Sequence, residues 1–172
     1  TPADIADFLS SKGGLSGLSE FGLNLHVPFC RARCLYCNIP IDTRRDTSLF
    51  SGYVDSLIQQ VQLLAHCVPA DSKVYGIDLG GGTPTLLPEA ELERVLKALG
   101  PWRARAKARR PLSVETGPEA ASREPAKFGM MRSLGVDRVS LGVQTAESDL
   151  LRQIAQDRGI AIARAQRAHG EF

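Results

Sequence analysis

The chain has 172 residues, of which 43% are hydrophobic and 23% charged, and a formal net charge of +2. That balance belongs to a folded domain rather than a disordered chain, and so small a charge gives no general pull toward nucleic acid or acidic lipid. No apolar run is long enough to span a bilayer, and the opening TPADIADFLSSKGG lacks the basic-then-apolar layout of a signal peptide, so the expected location is cytoplasmic.

In chain order, residues 1–20 read as a short helix (Asp4 to Leu9) followed by the Gly/Ser-rich connector SSKGGLSGLSE. FGLNLHV, Phe21 to Val27, alternates and stops at Pro28, which predicts a strand. From Asp46 to about Cys67, Leu49, Tyr53, Leu57, Val61 and Leu64 recur at helical spacing, with Asp46 placed to cap. KVYGIDL, Lys73 to Leu79, predicts a second strand closed by GGGTPT. A helix then begins at Pro88, with Leu92, Val95, Leu96 and Leu99 as its buried stripe. The basic run WRARAKARR, Trp102 to Arg110, reads as a solvated connector at the end away from the cysteines. PLSVET is a third strand, Pro125 to Leu134 a helix ending at Gly135, and GVDRVSLGVQ a fourth strand. The remainder reads as helical, with Leu150, Leu151 and Ile154 on one face. Strands alternating with helices imply a parallel α/β sheet with right-handed crossovers.

In such sheets ligands bind at the carboxyl ends of the strands. The unusual residues fall there. The first strand leads into HVPFCRARCLYCNIP, the second into Gly80, Gly81, Gly82 and Thr83, the third ends at Glu115 and the fourth at Gln144. Cys30, Cys34 and Cys37 follow the spacing C-x3-C-x2-C. Without an export signal, clustered cysteines indicate metal ligation or reactive thiols before disulfides. Three thiolates can hold three irons of a four-iron cluster and leave the fourth iron open, and an open coordination position is where a metal reacts. Zinc completed by His26 or His66 is the main alternative and a disulfide the weaker one. Cys67 reads as a small buried hydrophobe.

C-x3-C-x2-C directly after the first strand, with GGTP after the second, resembles the radical S-adenosylmethionine (SAM) superfamily. HVPFC…C…C, GGGTPT, ET.P and RVSLGVQ together resemble its HemN-like group, which includes oxygen-independent coproporphyrinogen oxidase, the HemW haem chaperones and the class C methyltransferases. The likeness runs from about Leu23 to Gln144. It implies a partial (βα)6 TIM-like barrel, of which residues 21–172 would supply the first four βα units. The later strands and a C-terminal domain, where substrate-choosing residues would lie, are expected to be absent.

The resemblance also implies a [4Fe-4S] cluster on Cys30, Cys34 and Cys37, chelated at its open iron by SAM and reduced by a donor such as flavodoxin or ferredoxin. Gly80, Gly81, Gly82 and Thr83 would take the methionine end of SAM, Glu115 its amino group and Gln144 its ribose, with Tyr36 and Asn38 facing the adenine. Arg31 and Arg33 could stabilise the thiolates or a substrate carboxylate. Three positions depart from the family pattern. Asn24 replaces a tyrosine common in LYxHxPFC, Ile39 replaces a further cysteine of the coproporphyrinogen oxidases, and AQDR replaces GRxH after GVQ. CNIPID, Cys37 to Asp42, resembles the class C methyltransferases and cyclopropanases of natural-product biosynthesis. That implies one or two SAM molecules and methylation or cyclopropanation of an sp2 carbon in a small aromatic or heteroaromatic substrate. A haem chaperone is the alternative, and a coproporphyrinogen oxidase the weaker one.

Overall fold

The computed structural model describes residue 7, residue 15 and residues 17–44, 46–107 and 112–154. The expected N-terminal helix, Asp7 apart, and the chain beyond Ile154 lie outside the described residues.

Strands β1 (Glu20–Val27), β2 (Lys73–Gly81), β3 (Leu112–Thr116) and β4 (Arg138–Leu141) form one parallel sheet in the order β1-β2-β3-β4. Each strand pairs with the next in sequence. Right-handed crossovers between sequential neighbours put every helix on one face, so the sheet winds one way, as a barrel does, and has no point where the order reverses. The architecture is therefore the expected parallel α/β partial barrel.

The crossovers are α1 (Ser48–Cys67), α2 (Glu89–Ala98), α3 (Gly100–Ala104), α4 (Pro118–Arg123) and α5 (Pro125–Ser133), and α6 (Ser148–Gln153) follows β4. Helix α1 starts two residues after Asp46, whose carboxylate accepts the Ser48 N–H at 3.0 Å and its hydroxyl at 2.5 Å. Its buried stripe is Val54, Leu57 and Val61, with Leu49, Tyr53 and Leu64 half-buried beside the same core. Helix α2 buries Leu92, Val95, Leu96 and, at its end, Leu99, as the spacing predicts. Gly135 closes α5 with φ +85°, the left-handed conformation a helix-ending glycine supplies.

Three expectations change. The basic run is not simply solvated connector: Trp102 lies in α3, 2% exposed, edge-on to Phe21 at 5.8 Å between ring centres. Arg105 stacks over that indole at 5.1 Å and donates to the carbonyls of Pro69 (2.5 Å) and Ser72 (3.2 Å), while Arg103 donates to that of Leu134 (3.3 Å). These arginines tie off carbonyls that precede β2 and β4, at the amino end of the sheet and away from the cysteines. Strand β4 is also shorter than expected, because the chain turns at Gly142, whose N–H donates to Thr116 O at 3.1 Å. In α6, Leu151 is 1% exposed but its neighbour Leu150 is 48% exposed, since adjacent helical residues point about 100° apart.

Alternation along the strands separates two faces. Leu23, Leu25 and Val27 of β1, Ile77 and Leu79 of β2, and Leu112 and Val114 of β3 are buried against the helices. Gly22, Asn24 and His26, Asp78 and Gly80, Ser113 and Glu115, and Arg138 and Ser140 line the other, concave face. There Asn24 is in register with Asp78, Asp78 with Ser113, and Ser113 with Arg138. One rung nearer the carboxyl ends, His26 pairs with Gly80, and Glu115 with Ser140.

Candidate active site

The cysteine loop is fixed at its neck. The Cys30 N–H donates to Asp42 O at 2.9 Å and the Asp42 N–H to Pro28 O at 2.8 Å, closing the loop over residues 30–42. His26, on the last turn of β1 before Pro28, donates a ring N–H from Nε2 to Pro40 O at 2.8 Å. The Tyr53 hydroxyl donates to His26 O at 2.5 Å, and burial pushes that phenol above its ordinary pKa, keeping it a donor. Phe29 sits against the rings of Phe50 (4.5 Å) and Tyr53 (5.2 Å). Sheet, helix and loop root are thus one packed unit.

All three loop cysteines are half-buried and none of the four cysteines is in a disulfide. The Cys37 N–H donates to Cys34 O at 3.0 Å, folding the C-x2-C segment into a turn. Cys30 Sγ lies 3.8 Å from Thr83 Oγ1, and Cys37 Sγ 4.0 Å from Ile39 O. Cys67 is 5% exposed at the end of α1, toward the amino ends of the strands, as a core residue should be. Among the described residues, no three His, Cys, Asp or Glu side chains converge to hold a single ion. The His26 ring donates from Nε2 to Pro40 O and packs over Gly81, and His66 is next to Cys67 at the end of α1. A cubane spreads its thiolates over separate irons, and three uncrosslinked thiols on one anchored loop fit that group.

The glycine turn docks onto this loop. The Gly82 N–H donates to Val27 O at 2.7 Å, the Thr83 N–H to Phe29 O at 2.8 Å, and the Gly81 N–H to Glu115 Oε2 at 3.2 Å. These N–H groups are paired inside the protein. Close approach still requires the glycines. A Cβ on Gly80 would lie 2.8 Å from the Glu115 carboxyl, one on Gly81 2.5 Å from His26 Nδ1, and one on Gly82 2.6 Å from Phe29 O. Gly81 also has φ +106°.

Glu115 is exposed on the concave face, one oxygen on Gly81 and the other open among the described residues. Gln144 is not at a strand end; it lies three residues past Leu141, exposed, with φ +65°. A left-handed glutamine is strained, and such strain gathers at functional rims. Tyr36 (51% exposed), Asn38 and Leu35 (76%) form the tip of the cysteine loop, where the Leu35 N–H reaches Ile154 O at 3.4 Å. Arg31 is paired with Glu119 of α4 at 3.2 Å, which also takes Arg123 at 2.6 Å, and Arg33 donates to Cys37 O at 3.4 Å. These contacts brace the loop.

Sequence reasoning missed two features. Lys127 of α5, 5% exposed, donates to Thr85 O (2.9 Å) and Leu87 O (3.0 Å) and pairs with Glu124, pinning the segment after GGGT. Thr85 in turn meets Thr116 hydroxyl to hydroxyl at 2.7 Å. The other is Asp78, which pairs with Arg138 at 3.1 Å on the concave face; its signal was a lone carboxylate between Ile77 and Leu79.

Comparisons with known proteins agree with this geometry. Residues 24–171 match the model of the radical SAM superfamily. The haem chaperone HemW of Synechocystis is 33% identical over 74% of this chain and 31% of its own length. The oxygen-independent coproporphyrinogen III oxidase of Bradyrhizobium diazoefficiens is 35% identical over 77% of this chain and 29% of its own. The solved coproporphyrinogen III oxidase HemN from Escherichia coli, a radical SAM enzyme, superposes with TM-score 0.69 and 27% identity over 88% of this chain and 35% of its own. The chain thus spans about a third of the length of these relatives.

Proposed function

The chain belongs to the radical SAM superfamily and, within it, to the HemN-like group, and on that premise we propose that the rim built by β1, β2 and β3 binds a [4Fe-4S] cluster and SAM side by side. The observation that carries this is the docking of the cysteine loop, with no disulfide, onto the glycine turn at Cys30 and Thr83. When bound, the pair supplies a 5′-deoxyadenosyl radical by one-electron cleavage of a carbon–sulfur bond. The protein's part is position. His26, Tyr53 and Asp42 hold the cysteine loop, the glycine turn presents a rim without side chains, and Glu115 keeps a carboxylate oxygen open for the SAM amino group. Gln144 at the ribose, and Tyr36 and Asn38 near the adenine, complete the reading.

At a finer level the reading is methylation or cyclopropanation of an sp2 carbon in a small aromatic or heteroaromatic molecule, with one or two SAM molecules and a flavodoxin- or ferredoxin-type donor. The run CNIPID and the absence of a cysteine at Ile39 support it. The relatives named as haem chaperones support a second reading, haem delivery.

Anaerobic reconstitution with iron and sulfide, then SAM and reductant, tests the proposal. Deoxyadenosine together with S-adenosylhomocysteine supports methyl or methylene transfer, and deoxyadenosine alone supports oxidase-type chemistry. Neither product, with haem retained, supports the chaperone. Alanine at Cys30, Cys34 or Cys37 should abolish iron uptake, and alanine at Cys67 should leave it intact; iron uptake that ignores all three loop thiols refutes the site.

A further inference from the structure

The row Asn24, Asp78, Ser113 and Arg138 lies across all four strands on the concave face, in continuous register. It sits two residues, roughly 7 Å, below the rung of His26, Gly80 and Glu115 that meets the cysteine loop. Barrels ordinarily fill this layer with branched apolar side chains from alternate strands. Here the layer is polar throughout. Arg138 is oriented at two points: Nε donates to Ser113 Oγ and Nη2 to Asp78 Oδ1, each at 3.1 Å. Ser113 is 5% exposed, so the anchoring hydroxyl is buried while the two charges stand open, 51% exposed at Asp78 and 66% at Arg138. Among the described residues, Asp78 Oδ2, Arg138 Nη1 and the Asn24 amide have no hydrogen-bond partner. An acceptor and a donor are therefore presented side by side on a locked pair.

We infer that this row is a recognition floor for an uncharged, planar group with adjacent donor and acceptor: a carboxamide, a lactam, or the amide edge of a nitrogen heterocycle. Its N–H would meet the free oxygen of Asp78, its C=O the free N–H of Arg138, and Asn24 would add either partner from β1. The choice follows from charge. A carboxylate ligand would gain Arg138 but face Asp78, and an ammonium ligand the reverse, because like charges side by side on a recognition surface cost binding. A neutral donor–acceptor edge meets both groups without a like-charge clash. The inference rests on the proposed function, since it names the substrate class of that site.

The test uses three probes on one ring, nicotinamide, nicotinate and 3-(aminomethyl)pyridine, titrated at neutral pH by ligand-observed NMR against the anaerobically reconstituted protein. The amide should bind about tenfold tighter than the acid or the amine, the factor expected for one hydrogen bond to a charged group. Asp78→Asn should reverse the order in favour of the acid, and Arg138→Gln in favour of the amine. A residue that merely holds the sheet together would not produce opposite inversions. Equal binding of the three probes by the unsubstituted protein, or binding of none, overturns the floor even if both variants misfold. So does an order that neither substitution inverts in a folded variant. Deoxyadenosine measured on the same samples keeps the two ideas apart: selectivity lost while SAM is still cleaved removes the floor alone, and selectivity kept without SAM cleavage removes the proposed function alone.

Discussion

Leu79 and Asp78 are neighbours on β2, yet they live in different solvents. Leu79 is 0% exposed among Val27, Leu92 and the rest of the helix-facing core, while the Asp78 carboxylate is half open on the concave face. The helix-facing side is a continuous apolar cluster that also contains Trp102, Leu112 and Met131. The concave side carries the carboxylates of Asp78 and Glu115, a guanidinium, an amide and glycines. The contrast teaches where stability and chemistry are kept. Burial of apolar area holds the fold together, whereas half-exposed polar groups add little to it and remain available to a ligand.

The sharpest break of that comparison is Leu79→Ala. It should destabilise the protein by about 2–5 kcal/mol, the usual cost of emptying a core leucine, read as a shift in denaturant midpoint with unchanged slope. The folded fraction should still take up iron, because no cysteine contact changes. Gly81→Ala comes next. Its φ of +106° and the His26 ring in the Cβ position oppose any side chain, at a cost of about 1–3 kcal/mol. Unlike the leucine variant, it should also lower iron retention, since the displaced His26 releases Pro40; a destabilised but fully iron-loaded variant would show that the turn does not hold the loop. Gly100→Ala, with nothing within 4 Å of its Cβ position, is the control and should be nearly silent.

The smallest effect belongs to Asp42. The guanidinium of Arg44 grips its carboxylate through both oxygens, and that hydrogen bonding holds its pKa below the ordinary 3.8. A carboxylate with a lowered folded-state pKa contributes stability that is present above the unfolded value and lost as pH falls through the folded one. Because the pair opens to solvent on its Arg44 side, 72% exposed against 19% at Asp42, Asp42→Asn should lower the melting temperature at neutral pH only slightly, and any difference from the parent should vanish on acidification below about pH 4.

Much of this was legible in one dimension. The strand and helix order follows from hydrophobic period, and three thiols at C-x3-C-x2-C are local chemistry that marks a ligand-bearing loop, while the series of motifs after successive strands points to the family. Tertiary context hid other parts. Trp102 and Arg105 read as a charged connector until Pro69, Ser72 and Phe21 surround them. Gln144 read as a strand end until the chain turned at Gly142.

From sequence alone came the alternation of elements, the thiol set and the glycine turn, because each is written in residues close along the chain. Only the folded sheet decided which atoms those glycines make room for, that His26 locks the loop through Pro40, and that Asn24, Asp78, Ser113 and Arg138 stand in one row. These depend on strand register, which aligns residues as distant as Asn24 and Arg138 through backbone hydrogen bonds that no local spacing encodes.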